Sequence, residues 1–203
     1  MFVDYLTVME ANLAAGMFIL ALYIYYGLDG GDQKQWVPAF YAVGLIGTVS
    51  GFHHALFWPL PGVYNIAFGE PYLLFGVLFL FAGYALKNEM GLAPLAGYAV
   101  MAGLVAITVG ARILDAGYTK SPEMTGFLYI IVGMGGVMAF PVIYLKANKG
   151  LRMLSVAVCL LAAVLWGFNS LGAYWGHMST DGSFGKWKPI HMQYQIQMNA
   201  PKN

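Results

Sequence analysis

Residues 51–71 read GFHHALFWPLPGVYNIAFGEP, and they decide the fold because two apolar stretches meet in them at a short turn. Upstream the chain is apolar back to about residue 36, and downstream it is apolar on to residue 87. Between them Pro59 and Pro61 work against helix, while Trp58 and Tyr64 are amphipathic side chains of the kind that anchor at a membrane interface. The stretch therefore reads as the turn between two membrane spans. It also places His53 and His54 just before that turn and Glu70 just after it, in a chain with few ionisable residues.

Composition fixes the environment. Of 203 residues 60% are apolar and 9% charged, a balance that excludes a water-soluble globular surface. The net charge of +1 offers no basic surface for nucleic acid, and the single Cys159 excludes a disulfide framework or a Cys-rich zinc site. Asp4 and Glu10 fall in the first apolar run, which lacks the basic opening and small-residue cleavage site of a secretion signal, so the N-terminus is expected to be retained.

Apolar runs bounded by turn chemistry predict spans near residues 4–28, 36–58, 67–87, 93–114, 124–145 and 151–175. Each is expected to be helical, because lipid offers no partner to an open strand edge. Short connections make neighbours antiparallel. The expected fold is an all-α integral membrane protein: a compact antiparallel bundle of about six transmembrane helices over residues 1–176, with a polar, aromatic, extramembrane tail over 177–203. Small residues at helix-face spacing, Gly47 with Gly51, Ala99 with Gly103, Ala106 with Gly110 and Ala163 with Gly167, predict close helix packing. Lys34, Lys87, Lys146, Lys149 and Arg152 share one side, against Arg112 and Lys120 in the loops of the other. That bias predicts both termini on the non-cytoplasmic side of a prokaryotic cell membrane, although Lys186 and Lys188 of the tail weaken it.

Depth along the spans gathers the remaining polar residues into one layer near the face that holds the termini. Glu10, His53, His54, Glu70, Asn169 and His177 fall there, with Arg112, Asp115 and Glu123 at the same level. A charge at the bilayer centre costs from about 3 to more than 10 kcal/mol, but near an interface it can snorkel to water. Arg112 and Asp115, one turn apart, are expected to form a structural ion pair, and Asp4, Lys120 and Glu123 to be solvated. Imidazole and carboxylate groups from neighbouring helices are the ligands of copper, iron and zinc sites, so Glu10, His53, His54, Glu70 and His177 form a candidate metal site. Haem fits less well, because His177 stands beyond its predicted span. A hydrogen-bonded cluster that fixes helix register is the structural alternative. The methionines scatter over several depths and read as core filling.

The stretch HHALFWPLPGVYNIAFGEPYLLFGVLFLFAGYAL, and chiefly PLPGVYNIAFGEP within it, resembles a family of small polytopic membrane proteins of bacteria and archaea classed as a domain of unknown function. The resemblance implies a multi-pass prokaryotic membrane protein and supplies no activity, cofactor or site residue. Three functions are open. One is a metal-binding, redox-type subunit in electron transport, with the uncharged turn as a cover over its site. Another is a non-catalytic accessory subunit that packs against other membrane subunits of a respiratory or oxidase-type complex. The last is a small proton-coupled carrier or channel, for which charged or helix-broken positions near mid-membrane are expected and not found.

Overall fold

The computed structural model describes residue 4, residues 6–145 and residues 148–179; Lys146 and the tail beyond residue 179 lie outside the described residues. Six helices long and apolar enough to cross a membrane follow one another, and among the described residues there is no strand. Helix α1 runs Leu6–Leu22 and continues through one wide π-helical turn, Tyr23–Gly27. A single 3-10 turn, Lys34–Trp36, leads into α2, Val37–Phe57. After the proline turn a second wide turn, Asn65–Gly69, opens α3, Glu70–Lys87. Then come α4, Ala93–Ala116, α5, Pro122–Tyr144, and α6, Lys149–His177. The predicted spans agree to within a few residues, and α6 runs two residues past its predicted end, so that His177 is its last helical residue.

Lipid supplies no hydrophobic drive between helices, so close backbone approach and polar contacts hold the bundle. Glycine makes the approach possible in two antiparallel hairpins. In the α2–α3 pair, a Cβ on Gly44 would lie 2.3 Å from Leu80 N, one on Gly51 2.4 Å from Leu73 Cα, and one on Gly76 2.2 Å from Gly47 C. In the α4–α5 pair the clashes are reciprocal: Gly103 and Gly133 would each place a Cβ 2.5 Å from the other's carbonyl oxygen. Gly110 and Gly126 repeat the arrangement further along the same seam, at 2.7 and 2.8 Å. Three of the four predicted small-residue pairs thus take part in these seams. Gly167 does not, since a Cβ there would meet nothing within 4 Å.

The third pair, α1 and α6, is antiparallel and tied by polar bonds at both ends. At the end away from the termini the Arg152 guanidinium pairs with Asp29 and donates from Nη2 to Ile24 O at 2.8 Å, an acceptor released where α1 widens. Asn12 joins α1 to the α2–α3 hairpin by donating to Val43 O at 3.1 Å and to the Tyr72 hydroxyl at 2.8 Å. Trp166 joins α6 to α5 by donating to Leu128 O at 3.2 Å.

The glycine seams predict that Gly76→Ala, which forces two backbones apart, lowers stability by about 1–3 kcal/mol. Gly97→Ala, where a Cβ would meet nothing within 4 Å, is expected to be neutral or stabilising by up to about 1 kcal/mol. Thermal unfolding of both variants in one mild detergent checks the contrast.

Candidate functional site

The opening stretch resolves into structure. Nδ1 of His54 lies 2.9 Å from Ser50 O one turn back, and the fully buried ring packs where Gly69 leaves room; a Cβ on Gly69 would sit 2.3 Å from His54 Cβ. His53 points elsewhere, stacked on Phe57 at 5.6 Å and 30°. Adjacent helical positions diverge by about 100°, and here that angle sends one imidazole into the α2–α3 seam and the other along α2. Glu70 faces the exterior. The turn is tied by Asn65, which is fully buried, accepts from Leu60 N at 2.9 Å, and donates to Leu60 O and to Gly62 O. Trp58 and Gly62 take left-handed backbone conformations on either side of the prolines.

Glu10 and His177, the other two residues of the expected metal set, border a separate cavity of about 340 Å³. It opens between the start of α1, the α4–α5 loop and the end of α6, and Phe68 from the turn before α3 borders it too. Among the described residues no three His, Cys, Asp or Glu side chains are placed to hold one ion. The five expected ligands share a depth but not a direction, so they do not fit copper, iron, zinc or haem as a group. Arg112 and Asp115 form the expected exposed ion pair.

The cavity is polar because α1 and α6 meet through polar side chains. Asn169 donates from Nδ2 to Glu10 Oε2 at 2.8 Å. One turn nearer the interface, Thr7 donates from its hydroxyl to Asp4 Oδ2 at 2.6 Å and from its backbone N–H to Asp4 Oδ1 at 3.2 Å. His177 Nδ1 lies 2.6 Å from Asp4 Oδ2 and 3.1 Å from Thr7 Oγ1. Asp4 is therefore no solvated loop charge: it caps α1 and clasps the end of α6. Partial burial pushes the Asp4 carboxyl up, but the bonds from Thr7 and His177 outweigh it and hold it below its ordinary value. Tyr129, Thr125, Tyr118 and Lys120 complete the polar wall.

A second cavity, about 160 Å³ and almost wholly apolar, lies deeper in the bundle between α1, α3, α4 and α5 and extends to Leu28 and Leu92 at the opposite end. The two are offset by one turn along the same helices. Leu13, Tyr72 and Tyr129 border the polar cavity, and Met17, Phe75 and Val132, one turn on, border the apolar one. Leu13, Met17, Tyr72, Leu128 and Ile131 pack there as one buried cluster with Phe75 and Val132 against it. Tyr72 and Phe75 stack at 5.8 Å, and the bond from Asn12 fixes the tyrosine. These side chains lie at the boundary between the two linings.

Of the residues here, Glu10, Asn169 and His177 were visible in the sequence by depth. Thr7, Asn12, Tyr72, Thr125 and Tyr129 were missed, because neutral polar side chains carry no desolvation signal as strong as a charge. Their cue was the same depth, read for hydroxyls and amides.

A six-helix membrane bundle with a polar cavity toward one end and an apolar cavity toward the other defines the class: a multi-pass membrane protein. The chain belongs to the family of proteins of unknown function DUF981, which matches residues 1–180. No curated protein matches it. Among solved structures it is similar to the Helicobacter pylori urea channel in its closed state, with a TM-score of 0.68 and 14% identity over 86% of this chain and 100% of that one. Likeness at that identity shows a shared fold.

The Asp4 clasp predicts that Asp4→Ala lowers apparent stability at neutral pH by about 1 kcal/mol, as loss of a helix cap does. Since the folded carboxyl titrates below its ordinary value of 3.8, its contribution is full above that value and is lost as pH falls through the lower folded one. Melting curves of wild type and variant should therefore converge in strong acid and stay apart from about pH 5 upward.

Proposed function

We propose that the protein is a passive channel for small uncharged polar solutes, held closed in this conformation by the layer of Leu13, Met17, Tyr72 and Phe75. The single observation that carries the reading is the pair of cavities bordered by successive turns of α1, α3 and α5, with Leu13, Met17, Tyr72 and Phe75 where their linings adjoin. A polar antechamber exchanges bulk water for fixed hydroxyl, amide and carboxyl groups, and a narrow apolar passage beyond it disfavours ions, which cannot shed their hydration there. The urea channel that shares the fold supports the same reading and makes urea the first solute to test.

This reading replaces the metal-binding, redox-type subunit as the leading function. The sequence argument against a channel was the lack of charged or broken positions at mid-membrane. An uncharged solute has no need of them, and neutral groups on the cavity wall such as Tyr72, Thr125 and Tyr129 suffice. The Lys and Arg bias between loops supports a polar mouth on the non-cytoplasmic side of a prokaryotic cell membrane, the side of both termini.

Stopped-flow light scattering of proteoliposomes under a urea gradient tests the proposal. Wild type is expected to re-swell faster than protein-free vesicles. Ala173→Trp, which fills the antechamber, abolishes the gain, and Phe75→Ala, which thins the closing layer, increases it. Rates equal to protein-free vesicles for both wild type and Phe75→Ala would contradict a channel.

A further inference from the structure

Two polar atoms on the antechamber wall stand out once each hydrogen bond is followed to its end. Glu10 uses Oε2 to accept from Asn169, and among the described residues its other oxygen, Oε1, takes no hydrogen bond. Tyr129 comes from the facing helix α5, within electrostatic reach of Glu10, and among the described residues its hydroxyl makes no hydrogen bond either. Both residues border the same cavity, just above the closing layer.

Neither side chain is loosely placed. The Asn169 bond holds the Glu10 carboxyl to α6, and the Tyr129 ring packs edge-on to Trp166 at 5.7 Å and 66°, with Phe68 at 6.3 Å on another side. Trp166 is itself fixed by its bond to Leu128 O, the residue before Tyr129. A held acceptor and a held hydroxyl across a cavity form a two-point site, and polar groups left without partners in such a place penalise any occupant that does not supply them.

We infer that Glu10 and Tyr129 select solutes of the amide class, urea and small primary amides, with Glu10 Oε1 accepting a solute N–H and the Tyr129 hydroxyl donating to the solute carbonyl. The inference rests on the channel reading and adds the chemistry that chooses its solute. A polyol of similar size, such as glycerol, lacks the planar N–H and C=O pair and fits the two points less well.

The test compares urea with glycerol in proteoliposomes made with wild type, Tyr129→Phe and Glu10→Leu. Wild type is expected to pass urea about tenfold faster than glycerol, and each variant to bring the ratio close to one, which is the effect of losing about one directed hydrogen bond. Tyr129→Phe deletes a single oxygen from a ring held on several sides, so it decides the test even if Glu10→Leu does not fold. A channel that passes both solutes with a ratio unmoved by Tyr129→Phe overturns the inference and leaves the channel standing. Passage of neither solute, including through Phe75→Ala, overturns both.

Discussion

Everything in this bundle depends on how closely two helix backbones can approach inside lipid. Apolar side chains gain nothing by leaving lipid for a helix interface, so affinity must come from dispersion at short range and from polar bonds. Glycine at positions 44, 47, 51 and 76 brings α2 onto α3, and glycine at 103, 110, 126 and 133 brings α4 onto α5, until any added Cβ would overlap backbone atoms. The two hairpins become rigid plates. Helices α1 and α6, joined by a buried apolar cluster and by polar bonds at both ends, border the remaining space with them.

That division of labour places the cavities. Where the seams are tight, as around His54 and Gly69, even an imidazole is sealed into the packing. Where α1 and α6 meet α5 and the turn before α3, the contacts run through Glu10, Asn169, Thr7 and Tyr129, which are longer and polar, and a polar cavity results. Deeper in, the side chains become Leu13, Met17, Tyr72 and Phe75, where the lining changes from polar to apolar. One polar tie, Asn12 to Tyr72, fixes the tyrosine of that layer to α1.

The spans were legible in the sequence because a bilayer imposes both length and helicity, leaving only a residue or two of end uncertainty. The glycine seams were legible in part: Gly47, Gly51, Gly103 and Gly110 behave as their spacing predicts, whereas Gly167 on the same rule faces away from the bundle. Depth was legible as well, since Glu10, Asn169 and His177 do meet near one interface. Azimuth was not. Whether His53 or His54 turns inward depends on the rotation of α2 against α3, which a column of residues does not state when both faces of the helix are apolar. The same uncertainty hid Asp4, whose partners His177 and Thr7 are 173 and 3 residues away, and favoured ionisable residues over the hydroxyls and amides that line the wall.

The central claim is a water-filled antechamber open on the side of the termini and shut from the apolar cavity by one packed layer. The chain's single, buried cysteine makes this directly measurable, because Cys159→Ala gives a cysteine-free background. In that background Thr125→Cys and Ala102→Cys place one thiol on the wall of each cavity. A charged, membrane-impermeant thiol reagent added on the side of the termini should label Thr125→Cys and leave Ala102→Cys unmodified. Protection of Thr125→Cys from both sides, or equal labelling of the two positions from that one side, would contradict the account.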